Sequence, residues 1–500
     1  MKLTKIATAA VLAGLGALPP AGTSPLAAQT ALPPATSRFV GRWEGALDVG
    51  GTRLRIVFHV RAPRREGDGL TATMDSPDQG AADIPVASVA VSGDSLRLDV
   101  AVASAAFMGR LEEGEGTIDG EWRQGGMALP LRVQRLAGEA AAPPRPQEPR
   151  PPYPYTEESV EIEVPDGGVR LAGTLTLPDG AGPFPAVVLV SGSGAQDRDE
   201  TLAGHRPFLV LADHLARRGV AVLRTDDRGV GGSTGSTFDA TLADRADDLL
   251  AAVRLLRGRP DIDPERVGAL GHSEGGWVVP EAAVRAPGDI AFVVLLAGPG
   301  QSPSDLLRSQ QRAILRAEGA GEARIAAMDA FLGGNLAIIR SLPDTAAARG
   351  PLVARRSHLL AELAEPQRRA LEAYFAEQTA AEREQALRVA DTRWFRDLVA
   401  FDPEPWLEEM RQPALALLGG RDLQVPPAAN APLLERLLDA KARPDRDVRV
   451  LPGLNHLFQP AGTGLPSEYA SIDTTMSAAA LDAVSDWILR SLAGPASTRE

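Results

Sequence analysis

The chain has 500 residues, of which 44% are hydrophobic and 23% charged, a composition typical of a globular protein too long for a single hydrophobic core. Its formal net charge of −13 argues against a nucleic-acid partner and against docking on anionic lipid, because both need clustered lysine and arginine. The absence of cysteine excludes disulfides, thiolate metal sites, a cysteine nucleophile and a cysteine-linked lipid anchor.

The N-terminus has the layout of a secretory signal peptide. Lys2 and Lys5 precede an apolar run over residues 6–18, and a stretch of small residues at 26–29 follows. This order of basic, apolar and cleavage-site regions is typical of an export signal, and the apolar run is too short to span a bilayer. We therefore predict a signal peptide over residues 1–28 and a mature chain without a membrane span, exported to the periplasm or the extracellular space.

The segment 38–136 has the pattern of a small all-β domain. Apolar and polar residues alternate over 54–60 and again over 96–102, and clusters of turn residues separate such runs. Short alternating strands joined by turns are typical of an antiparallel barrel or sandwich. Residues 137–156 are rich in alanine and proline, a composition that cannot pack a core, and we predict an interdomain linker there.

Residues 157–300 and 406–495 alternate continuous apolar runs with helical segments. Runs such as 186–190 have the length and composition of strands buried on both faces. Strands that alternate with helices indicate a mostly parallel sheet with helices on both faces, so these two segments are predicted to form one catalytic domain. Residues 301–405 show helical spacing of apolar positions and no convincing strand, which predicts a helical cap inserted between two strands.

The residues around Ser273 have the pattern of a catalytic serine. Gly271 to Gly275 fits G-x-S-x-G, with an apolar run before it and a helix-compatible run, 277–286, after it. In the α/β-hydrolase fold this nucleophile elbow holds the serine on a strained turn, and the glycines leave room for that turn. A second match, at Ser233, follows a loop and lacks the immediate helix, so we predict Ser233 to be a loop residue. The expected fold class is α/β: an α/β-hydrolase fold with an inserted helical cap, plus an all-β N-terminal domain.

His456 and Asp422 are the predicted partners of Ser273. A serine hydroxyl needs a base to take its proton, and the base needs a third group to fix its tautomer. In this fold the partners follow in the order serine, acid, histidine, each after a strand. His456 is the one histidine after the apolar run at 414–418, and Asp422 comes directly beyond that run. The competing aspartates precede a strand instead of following one: Asp402, Asp445 and Asp447.

Two backbone N–H groups are predicted to form the oxyanion hole. One belongs to Glu274, the residue after the nucleophile, and the other to the loop 191–194 that follows an early strand. Within that loop we favour the N–H of Ser193, with Gly194 as the alternative. The loop lacks the lysine of a phosphate-binding P-loop and the glycine spacing of a dinucleotide site, so phosphate binding is not expected.

Two further groups of residues have open roles. Asp226, Asp227 and Arg228 follow a predicted strand; a carboxylate metal site is conceivable there, but braces between the loops of the site are the favoured interpretation. Five aromatic residues of the cap are candidates for an acyl pocket and equally for the core of the cap: Phe331, Tyr374, Phe375, Trp394 and Phe395.

Five sequence blocks resemble a known group of proteins. They are 191–200, 226–231, 271–276, 422–426 and 455–456, and in this order they are similar to α/β-hydrolase superfamily esterases described as serine aminopeptidase-like, some with a β-rich N-terminal domain. The resemblance covers about residues 40–493, and the stretch 75–80 is similar to that N-terminal domain. It implies hydrolysis of carboxylic esters without a metal or an organic cofactor. Ala195 stands where proline is expected, which affects the stiffness of the loop more than the chemistry.

Three functions are compatible with these observations. The favoured one is a serine carboxylesterase acting on a small-molecule ester. The second is a serine exopeptidase, which would need acidic cap residues to hold the ammonium group of its substrate. The third is a non-catalytic binding protein, which a complete triad on its elbow argues against. Neither the natural ester nor the oligomeric state follows from the sequence.

Overall fold

The computed structural model describes residues 38–493 apart from short gaps at 50–51, 62–69, 77–80, 101–104, 113, 115, 125–126, 137–144, 166–167, 343–346, 379 and 440–444. The predicted signal peptide and residues 137–144 of the predicted linker lie outside the described residues. The chain forms two compact units that divide between Pro144 and Arg145. Arg145 is buried, and its guanidinium group donates to four carbonyl oxygens of the second unit, including that of Ile472 at 2.7 Å.

The first unit is a single antiparallel sheet of nine strands. Its spatial order is β4-β3-β2-β1-β9-β8-β7-β6-β5. The two ends of the sheet approach each other, because the N–H of Val86 donates to Ala72 in β3 and that of Ala87 donates to Asp99 in β6. The strands are β1 Gly41–Val49, β2 Thr52–Arg61, β3 Thr71–Ser76, β4 Ala81–Pro85, β5 Ser88–Ser92, β6 Ser95–Val100, β7 Ala105–Leu111, β8 Thr117–Gln124 and β9 Met127–Arg135.

Alternate residues of these strands form one apolar core. Leu96, Leu98 and Val100 are buried while the residues between them are not, as the alternating sequence predicts. Aromatic side chains fill the centre, where the rings of Phe58 and Phe107 stack at 5.3 Å.

The second unit is built on an eight-stranded sheet in the order β10-β11-β13-β12-β14-β15-β16-β17. The strands β10 and β11 form an antiparallel hairpin, β11 also pairs antiparallel with β13, and the remaining pairs are parallel. The strands are β10 Tyr155–Val164, β11 Val169–Pro178, β12 Phe184–Val190, β13 Ala221–Thr225, β14 Ile262–His272, β15 Val293–Leu296, β16 Ala414–Gly419 and β17 Arg446–Leu451. Strand β10 therefore begins at Tyr155, inside the segment predicted as linker.

Helices cover both faces of this sheet, and in the longest connection the regular elements among the described residues are all helices. Two apolar clusters lie on opposite faces: one with α2, α3 and α11, and the other with α1 and α12. Seven helices, α4 to α10, separate β15 from β16 and form the cap. The helices are α1 Pro207–Arg217, α2 Leu242–Arg257, α3 Gly275–Arg285, α4 Pro303–Ala317, α5 Glu322–Ser341, α6 Arg349–Glu362, α7 Glu365–Glu377, α8 Ala380–Ala390, α9 Arg393–Ala400, α10 Glu404–Glu409, α11 Pro427–Leu438 and α12 Ala478–Leu492.

The predicted fold class is confirmed. A mostly parallel sheet is covered by helices on both faces, a helical cap is inserted before β16, and an all-β unit precedes them. The strands β12 and β16 are buried along almost their whole length, which explains why they are continuous apolar runs in the sequence. Within the described ranges no helix is both long and apolar enough to cross a membrane.

Candidate active site

The predicted site residues lie on loops at one edge of the eight-stranded sheet. Ser193 follows β12, Ser273 follows β14, Asp422 follows β16 and His456 follows β17. These strands run parallel, so their carboxyl ends share an edge and the loops beyond them converge. The topology therefore gathers residues that are far apart in the sequence.

Ser273 occupies the sharp turn between β14 and α3. Its φ is +53°, a left-handed conformation that non-glycine residues seldom adopt, so the serine sits on a strained elbow. The turn needs two glycines: a Cβ on Gly271 would lie 2.1 Å from the carbonyl oxygen of Gly275, and one on Gly275 would lie 2.4 Å from that of Val190. Ser273 is partly exposed although the residues on either side are buried, so a substrate can reach it.

His456 and Asp422 form a buried pair. The Nδ1–H of His456 donates to Oδ2 of Asp422 at 2.8 Å, and Oδ1 of Asp422 accepts the N–H groups of Gln424 and Val425 at 2.8 Å each. A carboxylate held at both oxygens fixes the imidazole and leaves Nε2 available for proton transfer. The His456 ring lies 4.8 Å from the ring of His272, the residue before Ser273, so the pair is beside the elbow.

Two backbone donors are available near the elbow. Among the described residues, no group accepts a hydrogen bond from the N–H of Ser193 or of Glu274, so both can donate to a substrate oxygen. The loop of Ser193 packs against Ser273, because a Cβ on Gly192 would lie 3.2 Å from Cβ of Ser273. Gly194, the alternative donor, has a φ of +96°.

Arg245 of α2 connects two acidic residues beneath this edge of the sheet. Its Nη1 donates to the fully buried carboxylate of Glu274, and its Nη2 donates to the carbonyl and hydroxyl oxygens of Ser191, at 3.0 Å each. Asp227 lies 3.6 Å from Nη2 and accepts the Ser191 hydroxyl at 2.8 Å. Burial raises the pKa of Asp227 to about 6, against the lowering influence of Arg245. The loop after β12 is thus tied to a buried cation.

His272 and Glu200 form a second buried imidazole–carboxylate pair. Nδ1 of His272 lies 2.8 Å from Oε1 of Glu200, and Nε2 lies 3.2 Å from the carbonyl oxygen of His456. The same Oε1 accepts the N–H of Gly192 at 2.7 Å. Burial acts to lower the pKa of His272, but the Glu200 charge and the hydrogen bonds outweigh it, so the pKa is raised.

The residues with open roles brace loops. Arg198 donates to both oxygens of Asp226, and Arg228 pairs with Asp248 at 2.8 Å. The hydroxyl of Ser233 donates to the carbonyl oxygen of Asp226 at 2.8 Å and accepts the N–H of Ala172, which agrees with its interpretation as a loop residue. In the part of the chain that the structure describes, no group of three or more histidine and acidic side chains is placed to hold a metal ion.

The cap contains an apolar cavity of about 140 Å³. Its wall includes Leu336 and four of the five cap aromatics: Phe331, Tyr374, Phe375 and Phe395. The fifth, Trp394, is buried next to Phe395 and donates its Nε1–H to the Glu274 carboxylate, 3.2 Å from Oε1. The helix that forms one wall of the cavity therefore also contacts the residue after Ser273.

Three residues of the site had no assigned role in the sequence. His272 was only the variable position of the serine motif, and Glu200 belonged to a resembling block without a function. Arg245 could have been found, since it shares the apolar face of α2 with Leu242, Ala246 and Leu249, where a charged side chain is unexpected.

Comparisons with known proteins point to the same class. A family model described as X-Pro dipeptidyl-peptidase (S15 family) matches residues 166–419, just over half of the chain. Esterase EstD of Thermotoga maritima is 37% identical over 160 residues, which are 32% of this chain and 37% of that protein. Esterase FrsA of Escherichia coli O157:H7 is 31% identical over 128 residues, which are 25% of this chain and 28% of that protein. The chain thus spans well under half the length of these curated relatives.

Among solved structures, the alpha/beta hydrolase GrgF from Penicillium sp. sh18 covers 68% of this chain and 99% of its own, with 18% sequence identity and a TM-score of 0.42. The matches to esterases and to the peptidase family confirm the predicted resemblance to α/β-hydrolase esterases.

Proposed function

The chain belongs to the X-Pro dipeptidyl-peptidase (S15) family and is a hydrolase, and we propose that it is an exported serine esterase that cleaves carboxylic esters through a Ser273–His456–Asp422 triad. The observation that carries the proposal is the strained elbow at Ser273 with the bonded pair of His456 and Asp422 beside it. The predicted signal peptide supports export.

The proposed reaction has two stages. Nε2 of His456 takes the proton of the Ser273 hydroxyl while the Ser273 oxygen attacks the ester carbonyl. The N–H groups of Glu274 and Ser193 stabilise the resulting oxyanion. His456 returns the proton to the leaving alcohol, which leaves an acyl group on Ser273. Water, deprotonated by His456, then releases the carboxylic acid and restores the serine. Asp422 stays ionised and stabilises the transient imidazolium.

Three acidic residues bonded to the loops and helices around Ser273 favour an ester over a peptide substrate. A dipeptidyl-peptidase must hold the ammonium group of its substrate, which a carboxylate free of other partners would do best. Here Glu200 is bonded to His272, Glu274 to Arg245 and Trp394, and Asp227 to Ser191 and Gln196. Each of these carboxylates thus already bonds groups of the protein through at least one oxygen. Peptide cleavage is the second candidate, because the family model itself favours it.

The size of the cap cavity suits one class of acyl group, and the wall is made of cap residues without any of the predicted site residues. Apolar cavities of about 150 Å³ accept benzene, so the cap cavity of about 140 Å³ fits a phenyl ring or a chain of about six carbon atoms. Helix α9, which forms part of the cavity wall, also contacts Glu274, and this contact supports the use of the cavity as the acyl pocket. We propose esters of medium-chain or aromatic acids as the substrate class.

The test is a substrate panel with two serine variants. The chain without residues 1–28 is offered nitrophenyl esters from acetate to decanoate, nitrophenyl benzoate, and aminoacyl-prolyl nitroanilides. We expect the highest kcat/KM for hexanoate or benzoate, and a loss on the order of 10⁶-fold in Ser273→Ala. Ser233→Ala, the matched control at the second G-x-S-x-G, should stay within a few-fold of the wild type. Faster anilide than ester turnover would favour the peptidase, and ester turnover that survives in Ser273→Ala would refute the triad.

A further inference from the structure

His272 lies between two parts of the site that the proposed mechanism uses separately. On one side its Nδ1 contacts Oε1 of Glu200. The same oxygen accepts the N–H of Gly192 in the loop 191–194, here called the oxyanion loop. On the other side its Nε2 contacts the carbonyl oxygen of His456, and its ring lies 4.8 Å from the His456 ring. One buried side chain therefore joins the oxyanion loop, the elbow and the loop of the proposed base.

The hydrogen-bond partners of His272 determine which of its ring nitrogens carry a hydrogen. A carbonyl oxygen can only accept, so Nε2 must carry a hydrogen to bond His456. Oε1 of Glu200 is an acceptor for Gly192 and faces Nδ1, while Oε2 makes no hydrogen bond within the described residues. A carboxylate that accepts from both neighbours requires a hydrogen on Nδ1 as well. The arrangement is satisfied by an imidazolium at 272 paired with an ionised Glu200.

We propose that Glu200 and His272 form a positioning pair that holds the backbone of His456 and places a positive charge against its ring. The proposal rests on the esterase function above, because it assigns His456 as the base. His272 acts through His456 and touches no reacting atom.

The cation assigned to His272 faces the ring of His456. Three titratable groups face His272: Glu200 from the loop after β12, His456 from the loop after β17, and Asp422 from the loop after β16. An imidazolium 4.8 Å from the His456 ring opposes protonation of that ring. The pair thus sets a positive charge beside the ring that must accept the Ser273 proton.

Two substitutions of His272 separate its effect on the position of His456 from the effect of its charge. In His272→Gln the amide nitrogen can take the place of Nε2 and donate to the His456 carbonyl, whereas in His272→Asn it takes the place of Nδ1 and reaches only Glu200. Both remove the cation and leave the Glu200 charge, so both should move the acid limb of kcat/KM upward by about one pH unit. On the alkaline plateau, kcat should fall about 10- to 100-fold in His272→Asn with little change in KM, and less than about 5-fold in His272→Gln.

The readouts are the pH profile of hexanoate ester hydrolysis, kcat and KM on the plateau, and fluorophosphonate labelling of Ser273 to check the elbow. The control is His358→Gln on the exposed surface of α6, which should match the wild type. Unchanged pH profiles in both variants, or an equal loss of kcat in both, would overturn the proposal. If His272→Asn does not fold, the pH profile of His272→Gln decides. A wild-type protein without ester turnover would instead refute the proposed function.

Discussion

Replacing Arg245 by methionine should destabilise the second unit, called the catalytic unit below, more than an ordinary surface substitution would. The arginine is buried in α2 and is the cationic partner of Glu274, whose side chain is fully buried. It also donates to backbone carbonyls of the loop after β12, at 3.0 Å to Ser191 and 3.3 Å to Gly192. Methionine fills the same volume but leaves a buried carboxylate whose remaining donor is the indole N–H of Trp394.

The expected cost follows from breaking one side of a buried ion pair. Such a change costs about 3–5 kcal/mol, whereas removing both partners is far milder. In a Glu274→Gln background Arg245→Met should cost only about 1–2 kcal/mol, because the hydrogen bonds to Ser191 and Gly192 are still lost. The coupling energy between the two positions should therefore be about 2 kcal/mol.

Urea unfolding of the four proteins of this cycle provides the measurement. Ester turnover in urea reports the catalytic unit alone, and circular dichroism reports both compact units, which need not unfold together. Arg254→Met on the exposed face of the same helix is the matched control and should change stability by less than about 0.5 kcal/mol. A cost below about 1 kcal/mol for Arg245→Met, or an equal cost with and without Glu274, would refute the role of Arg245 as the buried counter-ion.

Two further predictions concern the cap and the pH dependence of stability. Leu336→Phe narrows the cap cavity, so kcat/KM for hexanoate should fall about 15- to 60-fold relative to acetate, since two to three methylenes lose about 0.8 kcal/mol each. Leu360→Phe, outside the cavity wall, should leave this ratio of kcat/KM values unchanged. An unchanged ratio in both variants would remove the acyl-pocket assignment. Burial raises the pKa of Asp227 from 3.8 to about 6. Between these two pH values the folded chain holds a proton that the unfolded chain releases. The free energy of unfolding should therefore fall by up to roughly 3 kcal/mol as pH rises from 4 to 6. Across this pH range the urea midpoint of unfolding should vary less in Asp227→Asn than in the wild type. The same dependence of the midpoint on pH in both proteins would contradict the raised pKa of Asp227.

The fold was predictable because its main features are local in the sequence. The apolar run 414–418 and the alternation over 96–100 each contain enough residues to define a buried strand and a half-buried one. The elbow was predictable for a different reason. Gly271 and Gly275 have no room for a side chain, so the turn requires glycine two residues before and two residues after Ser273. The helical cap followed from the absence of strands between two such runs.

The supporting contacts of the site were not predictable, because they join distant segments. Glu200 and His272 are 72 residues apart, and Arg245 and Glu274 are 29 apart; no periodicity or spacing rule relates such positions. An acidic residue in a polar loop is usually solvated, and a helical arginine usually faces water. Only the convergence of loops at the carboxyl edge of the sheet converts these residues into buried pairs.

The same two pairs explain how the loop 191–194, the proposed source of one oxyanion donor, is held. Gly192, directly before Ser193, has both of its backbone polar groups bound by charged side chains: its N–H donates to Glu200 and its carbonyl accepts from Arg245. Fixing the peptide on the carbonyl side of Gly192 also fixes the N–H of Ser193, because the two groups belong to one planar unit. A donor held in this way needs no reorganisation when charge develops on the substrate oxygen. Charge-assisted hydrogen bonds at Gly192 therefore restrain the loop in which Ala195 stands where the resemblance predicts proline.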